Sequence, residues 1–151
     1  SNEAVLRLCE RHANLIPACG IHPLHAPCEV YSAEEWDLDM PIPARFDVSE
    51  ELTKIANWAA TGKIAAIGEC GLDAFYYKTD HYLKRQEEVL EKLCEVSVTH
   101  DIPVILHSRK REARTFELIQ ANGVQRAIFH CFSGEFKRLV CYCGSMAVHT
   151  Q

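Results

Sequence analysis

The sequence predicts an α/β protein with a parallel barrel fold, here a partial barrel of about five strands. Predicted helices and strands alternate along the chain, and such alternation is typical of a parallel sheet with right-handed crossovers. The strand segments, such as PVIL at 103–106, are almost continuously apolar, as expected when both sheet faces are covered. Three of these strands end in a glutamate or histidine, which is how a parallel barrel builds its active site.

The length and composition predict a single domain over residues 1–151. The chain has 48% apolar and 25% charged residues, which is ordinary for a soluble globular protein. Its net charge of −5 argues against a duplex-binding protein held by a broad basic surface. We find neither an apolar run long enough to cross a membrane nor a signal-peptide pattern. The eight cysteines form no CxxC pair, which favours buried thiols and a cytoplasmic protein, with a nuclear location as the alternative.

The first third of the chain predicts a helix, a strand and a long loop. Residues 2–13 have helical spacing, with Val5, Leu8, Cys9 and His12 near one face. The apolar run Leu15–Ile21 predicts a strand. Residues 24–46 contain prolines and an acidic stretch, which predicts a loop insertion at the carboxyl end of that strand.

The middle third predicts two helices and two strands. Ser49 is a suitable N-cap for a helix over Glu50–Ala60, and the strand Ile64–Gly68 follows. Residues 80–100 form the longest predicted helix, and the strand Val104–Leu106 comes next. The inward stripe of the long helix comprises Leu83, Leu90, Leu93, Cys94 and Ser97.

The last third predicts two further helix–strand units. A helix over Glu112–Ala121 is closed by an Asn-Gly pair, and Ala127–Phe129 is the next strand. Gly134–Val140 is a predicted short helix. The apolar run Ser145–Val148 predicts a fifth strand.

Glu69, His107 and His130 each end one of the predicted strands. Taken alone, the glutamate is as consistent with a salt bridge, and a strand-end histidine is more often a hydrogen-bonded core residue. Their recurrence at equivalent ends of successive strands favours convergence on one mouth. Glutamate and histidine side chains are suitable ligands for zinc or a similar divalent ion. We therefore interpret these three residues as metal ligands.

Further residues are candidates for the same mouth. His22 ends the first strand and could ligate metal, contact a phosphate or cap a turn. Asp73 could bind a second metal, orient a ligand or cap a turn, and Arg109 could clamp a phosphate or form a structural ion pair. Ser133–Gly134 could offer backbone amides to an anion. We interpret the aromatic segment Phe75–Tyr77 as core or loop aromatics and not as a base-stacking platform.

Four motifs together identify a resemblance to a known family. GIHP at 20–23, IGECGLD at 67–73, PVILHSR at 103–109 and FHCFSG at 129–134 occur in the order and approximate spacing of the TatD family of metal-dependent deoxyribonucleases. The resemblance covers nearly the whole chain. It implies a TIM-barrel hydrolase, related to the amidohydrolases, that cleaves phosphodiester bonds in DNA.

The resemblance also implies roles for the site residues. Glu69 would bind or bridge metal, His107 and His130 would be metal ligands, and His22 and Asp73 would support the site. The expected cofactors are one or two divalent ions, Mg²⁺ or Zn²⁺, with Mn²⁺ as a further candidate. We expect four residues to take part in catalysis, namely Glu69, His22, Asp73 and Arg109. Because the chain is acidic, we expect an exonuclease that acts on single strands or ends.

The sequence lacks two features of the TatD pattern, namely the opening HxH strand and the closing ETDxP strand. It therefore predicts an incomplete barrel that corresponds to the third to seventh strands. An open sheet with two edges also predicts self-association. Two alternatives to the DNase stay open: an amidohydrolase-like enzyme acting on a small ester or amide, and a truncated, catalytically impaired metal-binding chain.

Overall fold

The computed structural model describes residues 1–32, 41–76, 79–130 and 147–150, the last of these by the backbone alone. The described part contains four helices and five strands. In chain order they are α1 (Asn2–Arg11), β1 (Ala18–Cys19), α2 (Val48–Ala60), β2 (Ala66–Gly71), α3 (Asp80–His100), β3 (Val104–His107), α4 (Glu112–Ala121), β4 (Arg126–Phe129) and β5 (Ala147–Thr150).

The five strands form one parallel sheet in the order β1-β2-β3-β4-β5. Each neighbouring pair follows the chain order, so the predicted parallel α/β architecture is confirmed. The predicted last strand, Ser145–Val148, is present as Ala147–Thr150, and residues 145–146 lie outside the described part of the chain. The predicted helix Gly134–Val140 lies outside the described residues. Because all strands run the same way, their carboxyl ends share one edge of the sheet, and that edge positions the site.

The predicted boundaries of α2, β1 and β2 are wrong. Strand β2 spans Ala66–Gly71 and not Ile64–Gly68. Helix α2 begins at Val48, and its N-cap is Asp47, not Ser49. The Asp47 carboxylate accepts a 2.8 Å hydrogen bond from the Glu50 N–H, and its charge also suits the positive end of the helix. Strand β1 has only two residues, since in the described chain it pairs with β2 alone through Ala18 and Cys19.

Helix α1 is not anchored by the predicted apolar face. Val5 and Leu8 are 39% and 51% exposed, and the helix has no buried residue. Instead, the Asn2 side chain pairs with the backbone of Gly20: Nδ2 donates to the carbonyl at 2.9 Å, and the Gly20 N–H donates to Oδ1 at 3.3 Å. Asn2 Nδ2 also donates to Glu51 at 2.7 Å. Polar contacts therefore hold this helix beside β1.

The core lies between the sheet and the helices α2, α3 and α4. The inward stripe predicted for α3 is confirmed, because all five of its residues are buried. Residues 24–32 and 41–46 contain no helix or strand, and their identification as an insertion stays a prediction. Among the described residues, no helix has both the length and the apolar character needed to cross a bilayer.

Candidate metal centre

The carboxyl ends of the first three strands bring His22, Glu69 and His107 together. One potential ligand atom from each residue lies within 4.8 Å of the others. His22 follows β1, Glu69 lies within β2, and His107 ends β3. The predicted convergence of these strand ends is therefore present in the fold, while the roles of the residues stay predictions.

His107 lies between two carboxylates. Its Nδ1 is 3.3 Å from Glu69 Oε1, and its Nε2 is 2.8 Å from Asp73 Oδ2. The Asp73 side chain is fully buried, whereas Glu69 and His107 retain some exposure. With Asp73 holding Nε2, the Nδ1 atom faces Glu69 and the interior of the cluster. A carboxylate that fixes a histidine from behind in this way is a common support for a metal ligand.

Asp73 is itself held by hydrogen bonds from the chain around it. Its Oδ1 accepts the backbone N–H groups of Phe75 at 2.8 Å and Tyr76 at 2.9 Å, which forms a turn. The buried Gln86 side chain accepts the Asp73 N–H at 2.8 Å and donates to the Asp73 carbonyl at 3.3 Å. Asp73 thus both caps a turn and contacts His107, combining two of the alternatives left open by the sequence.

Sequence reasoning missed Gln86 as a site residue. The sequence indicates only that Gln86 lies on the inward stripe of α3, three residues after Leu83 and four before Leu90. A polar residue on a buried helical stripe needs a partner. Here the partner is the backbone of Asp73, which no periodicity in the sequence could identify.

The two carboxylates determine the charge of His107. Burial alone would lower the pKa of this imidazole, but hydrogen bonds to Asp73 and Glu69 outweigh burial and raise the pKa to about 9. Burial would likewise raise the pKa of Asp73, yet hydrogen bonds from His107, Tyr76 and Phe75 lower it. Without metal, the protonated His107 ring therefore lies between two carboxylates. A divalent cation that binds here would take the place of the proton on His107 and supply the positive charge.

His22 is neutral at physiological pH. Burial and the neighbouring His107 lower its pKa to about 4. Its Nδ1 accepts the Leu24 N–H at 3.2 Å, which requires an unprotonated nitrogen. The ring lies edge-on to His107 with centroids 4.7 Å apart. The turn-capping alternative is thus observed, and the ring also lies at the metal cluster.

His130 occupies the same mouth but not the same cluster. It follows β4, and its backbone N–H donates to the Leu106 carbonyl at 2.9 Å. Together with His22 and Glu69 it lines a cavity of about 1000 Å³. Among the described residues, the close group of ligand atoms contains His22 and not His130. Its assignment as a ligand stays a prediction, and the predicted anion site at Ser133–Gly134 lies outside the described residues.

Arg109 follows His107 by two residues, and its side chain stacks on aromatic rings. Its guanidinium carbon is 3.7 Å from the centroid of the Phe75 ring and 5.2 Å from that of Tyr76. One guanidinium nitrogen donates to the Tyr76 hydroxyl at 3.4 Å. In the described part of the chain Arg109 makes no ion pair with a carboxylate, so the structural ion pair considered from the sequence is not observed.

Glycine at position 71 permits the close approach of β2 to His107. Gly71 has φ of +137°, and a side chain at this position would overlap the carbonyl oxygen of His107. The next residue, Leu72, donates its N–H to that carbonyl at 2.9 Å. A break in the register between Ile67 and Cys70 accompanies this contact. The local backbone thus brings Glu69 and Asp73 to opposite nitrogens of one ring.

The donor set suits a divalent ion by its chemistry. One carboxylate oxygen and imidazole nitrogens are borderline ligands that suit zinc and other first-row metals. The buried Asp73 supplies the outer contact that histidine ligands normally have. The residues present therefore fit a divalent cation.

Comparisons with known proteins agree with this geometry. A family model described as TatD related DNase matches residues 1–147. The human deoxyribonuclease TATDN3 is 28% identical over 137 residues, which cover 87% of this chain and 46% of the human protein. The 3'-5' ssDNA/RNA exonuclease TatD of Citrobacter rodentium is 26% identical over 85% of this chain and 42% of that protein.

A structural relative shares the architecture. YjjV of Escherichia coli, an uncharacterized metal-dependent hydrolase, is 30% identical over 89% of this chain and 45% of its own length. Its crystal structure, described as that of a TatD homolog, aligns with a TM-score of 0.66 over 93% of this chain and 48% of that one. The chain thus spans about half the length of the curated relatives it matches.

Proposed function

Because the chain belongs to the family of TatD related DNases, we propose that it is a divalent-metal-dependent hydrolase of DNA phosphodiester bonds. The observation that supports this most is the cluster of His22, Glu69 and His107 at the carboxyl edge of a parallel sheet. We further propose exonucleolytic action on single strands or ends. The net charge of −5 and the name of the Citrobacter relative support this preference.

The proposed ligands are Glu69, His107 and His130, and the proposed metal is Mg²⁺ or Zn²⁺, with one or two ions and Mn²⁺ as a further candidate. When bound, such an ion polarises phosphate oxygens and lowers the pKa of a bound water. Asp73 keeps a proton on Nε2 of His107 and so leaves Nδ1 available to the site.

The remaining residues would act on the substrate. The neutral His22 ring lies at the cluster without adding a positive charge that would repel a cation. Arg109 presents guanidinium N–H groups beside the mouth, where they would bind a phosphate oxygen. The cavity of about 1000 Å³ has room for a nucleotide at this edge.

Release of nucleotides from end-labelled single-stranded DNA tests the proposal. The protein is incubated with Mg²⁺, Mn²⁺ or Zn²⁺, with a chelator as control. We expect chelator-sensitive release that falls about 100-fold or more in Glu69→Gln and His107→Ala. The matched variants Glu95→Gln and His12→Ala change residues on the outer surfaces of α3 and at the end of α1, and should retain activity.

Equal metal-dependent release by wild type and both site variants would refute the proposed site. No release with any metal, together with metal binding in calorimetry, would favour the impaired metal-binding chain. A panel of small esters and amides distinguishes the DNase from the amidohydrolase-like alternative, since the latter enzyme would hydrolyse these compounds and not DNA.

We propose the cytoplasm as the compartment, with the nucleus as the alternative. The cysteines at 9, 19, 28, 70 and 94 are all free, and four of them are buried. Burial raises the pKa of Cys19 to about 11 and that of Cys94 to about 12, which keeps these thiols protonated and unreactive. Fractionation of cells that express the tagged protein would test the assignment.

A further inference from the structure

We propose that Arg109, held flat on Phe75, is a stacking platform for the nucleobase adjacent to the scissile phosphate. This inference rests on the proposed function and names the part of the substrate that the site would recognise. It predicts that cleavage requires an unpaired base, and therefore a single strand or a frayed end.

The first observation is the geometry of the stack. The guanidinium carbon of Arg109 lies 3.7 Å from the Phe75 centroid, which places the cation directly over the ring. Arg109 is exposed in the described part of the chain, so the stacked guanidinium lies at the surface. Nucleobases stack on arginine planes as well as on aromatic rings.

The second observation is that the platform is built rigidly onto the metal centre. The Asp73 carboxylate that holds His107 also holds the backbone N–H groups of Phe75 and Tyr76. The Ala74 N–H donates to the Arg109 carbonyl at 3.0 Å, which ties the two loops together. A base on Arg109 would therefore lie at a fixed position relative to His107.

The third observation is the exposure of an aromatic ring that packing does not explain. Phe75 is 45% exposed, so it is a loop aromatic and not a core aromatic, which were the two interpretations offered by the sequence. It contacts the edge-on Tyr76 ring and Arg109 and lies at the surface, two residues after Asp73. In this arrangement Phe75 is a positioning residue, and Arg109 is the group that touches the substrate.

The test compares two substrates that differ by one base. One is a single-stranded oligonucleotide, and the other carries an abasic tetrahydrofuran residue at the end from which nucleotides are released. For the wild type we expect kcat/KM about tenfold higher on the base-bearing strand. In Phe75→Ala this ratio should fall to near one, whereas Phe75→Trp should retain it.

Two further variants separate stacking from charge and from general effects. Arg109→Lys keeps the positive charge but lacks the planar group, so the ratio should also fall to near one. Val98→Ala removes an equally exposed apolar side chain from α3 and should leave the ratio unchanged. A ratio near one in the wild type, or a tenfold ratio retained in both Phe75→Ala and Arg109→Lys, would overturn the platform.

If no metal supports cleavage, the proposed function fails. A binding measurement then still tests whether Arg109 stacks on a nucleobase. Fluorescence anisotropy with the same labelled oligonucleotides and Ca²⁺ then gives the ratio of dissociation constants. A base-dependent ratio that Phe75→Ala abolishes and Phe75→Trp restores supports the platform. The same affinity for both strands refutes it.

Discussion

Gln86 and Asp73 are joined by two hydrogen bonds between one side-chain amide and the backbone of one residue. The Gln86 carbonyl oxygen accepts the Asp73 N–H at 2.8 Å, and the Gln86 amide nitrogen donates to the Asp73 carbonyl at 3.3 Å. Both residues are fully buried. The amide fixes the backbone from which the Asp73 carboxylate reaches His107.

Replacement of Gln86 by alanine should therefore destabilise the protein by about 1–3 kcal/mol, because it leaves the buried backbone groups of Asp73 unpaired. Denaturant unfolding of the metal-free protein measures this change. Gln120→Ala, on the exposed face of α4, is the matched control and should stay within about 0.5 kcal/mol. Equal effects of the two substitutions would contradict the role of Gln86.

Asp73→Asn should weaken metal binding by about 10- to 100-fold with little loss of structure. The Asn carbonyl can still accept the Phe75 and Tyr76 N–H groups, but its NH₂ group would face His107 Nε2. That contact favours the tautomer with its proton on Nδ1, the nitrogen that faces Glu69. Isothermal titration with Mn²⁺ or Zn²⁺ measures the affinity. Asp101→Asn, at the carboxyl end of α3, is the control. An equal loss of metal affinity in both variants would refute the role of Asp73 in orienting His107.

Gly71→Ala should cost about 2–4 kcal/mol and disrupt the site, because a side chain there overlaps the His107 carbonyl. Gly123 also has positive φ but nothing within 4 Å of an added Cβ. Gly123→Ala therefore isolates the conformational cost of about 1 kcal/mol. The melting temperatures of Gly71→Ala and Gly123→Ala measure this difference in stability. Similar values for the two variants would show that the contact with the His107 carbonyl adds no cost.

The metal-free protein should lose stability between pH 6.5 and about 9. The pKa of His107 is raised from 6.5 to about 9 in the folded state, so protonation of the ring stabilises that state. This contribution is complete below pH 6.5 and is lost as the pH rises through about 9. Thermal unfolding of wild type and His107→Gln in chelator, at pH values across this window, measures it. The difference in melting temperature should shrink with rising pH, and a constant difference would contradict the assignment.

We expect the chain to self-associate through the apolar surface beside β1. Val5, Leu8, Leu15 and Ile16 are four of the eight large apolar residues that are exposed where the structure describes side chains, and Ile16 is 79% exposed. Sedimentation velocity should show a concentration-dependent dimer that Ile16→Lys weakens about tenfold or more. Val98→Lys on α3 is the control. A monomer at every concentration would remove this expectation.

The carboxyl ends of β2 and β3 could be predicted from the sequence, because each apolar run stops at a polar residue. Glu69 and His107 are therefore visible as candidates, and the parallel order follows from the alternation of elements. The sequence left several alternatives open for Asp73 and could not choose among them, since its contacts depend on the backbone at Gly71 and on Gln86, thirteen residues further along. The pattern also could not show that Val5 and Leu8 of α1 stay exposed, or that Asn2 and Glu3 form polar contacts between this helix and its neighbours.

The pairing of Asn2 with both backbone groups of Gly20 has a consequence for local motion near the site. In the described part of the chain, the Gly20 amide proton is held by a side chain of α1 and not by a neighbouring strand. Its hydrogen exchange should therefore follow fraying of the first turn of α1, at rates unrelated to opening of the sheet. The first turn of α1 thus sets the exchange rate of a backbone amide that lies only two residues before His22.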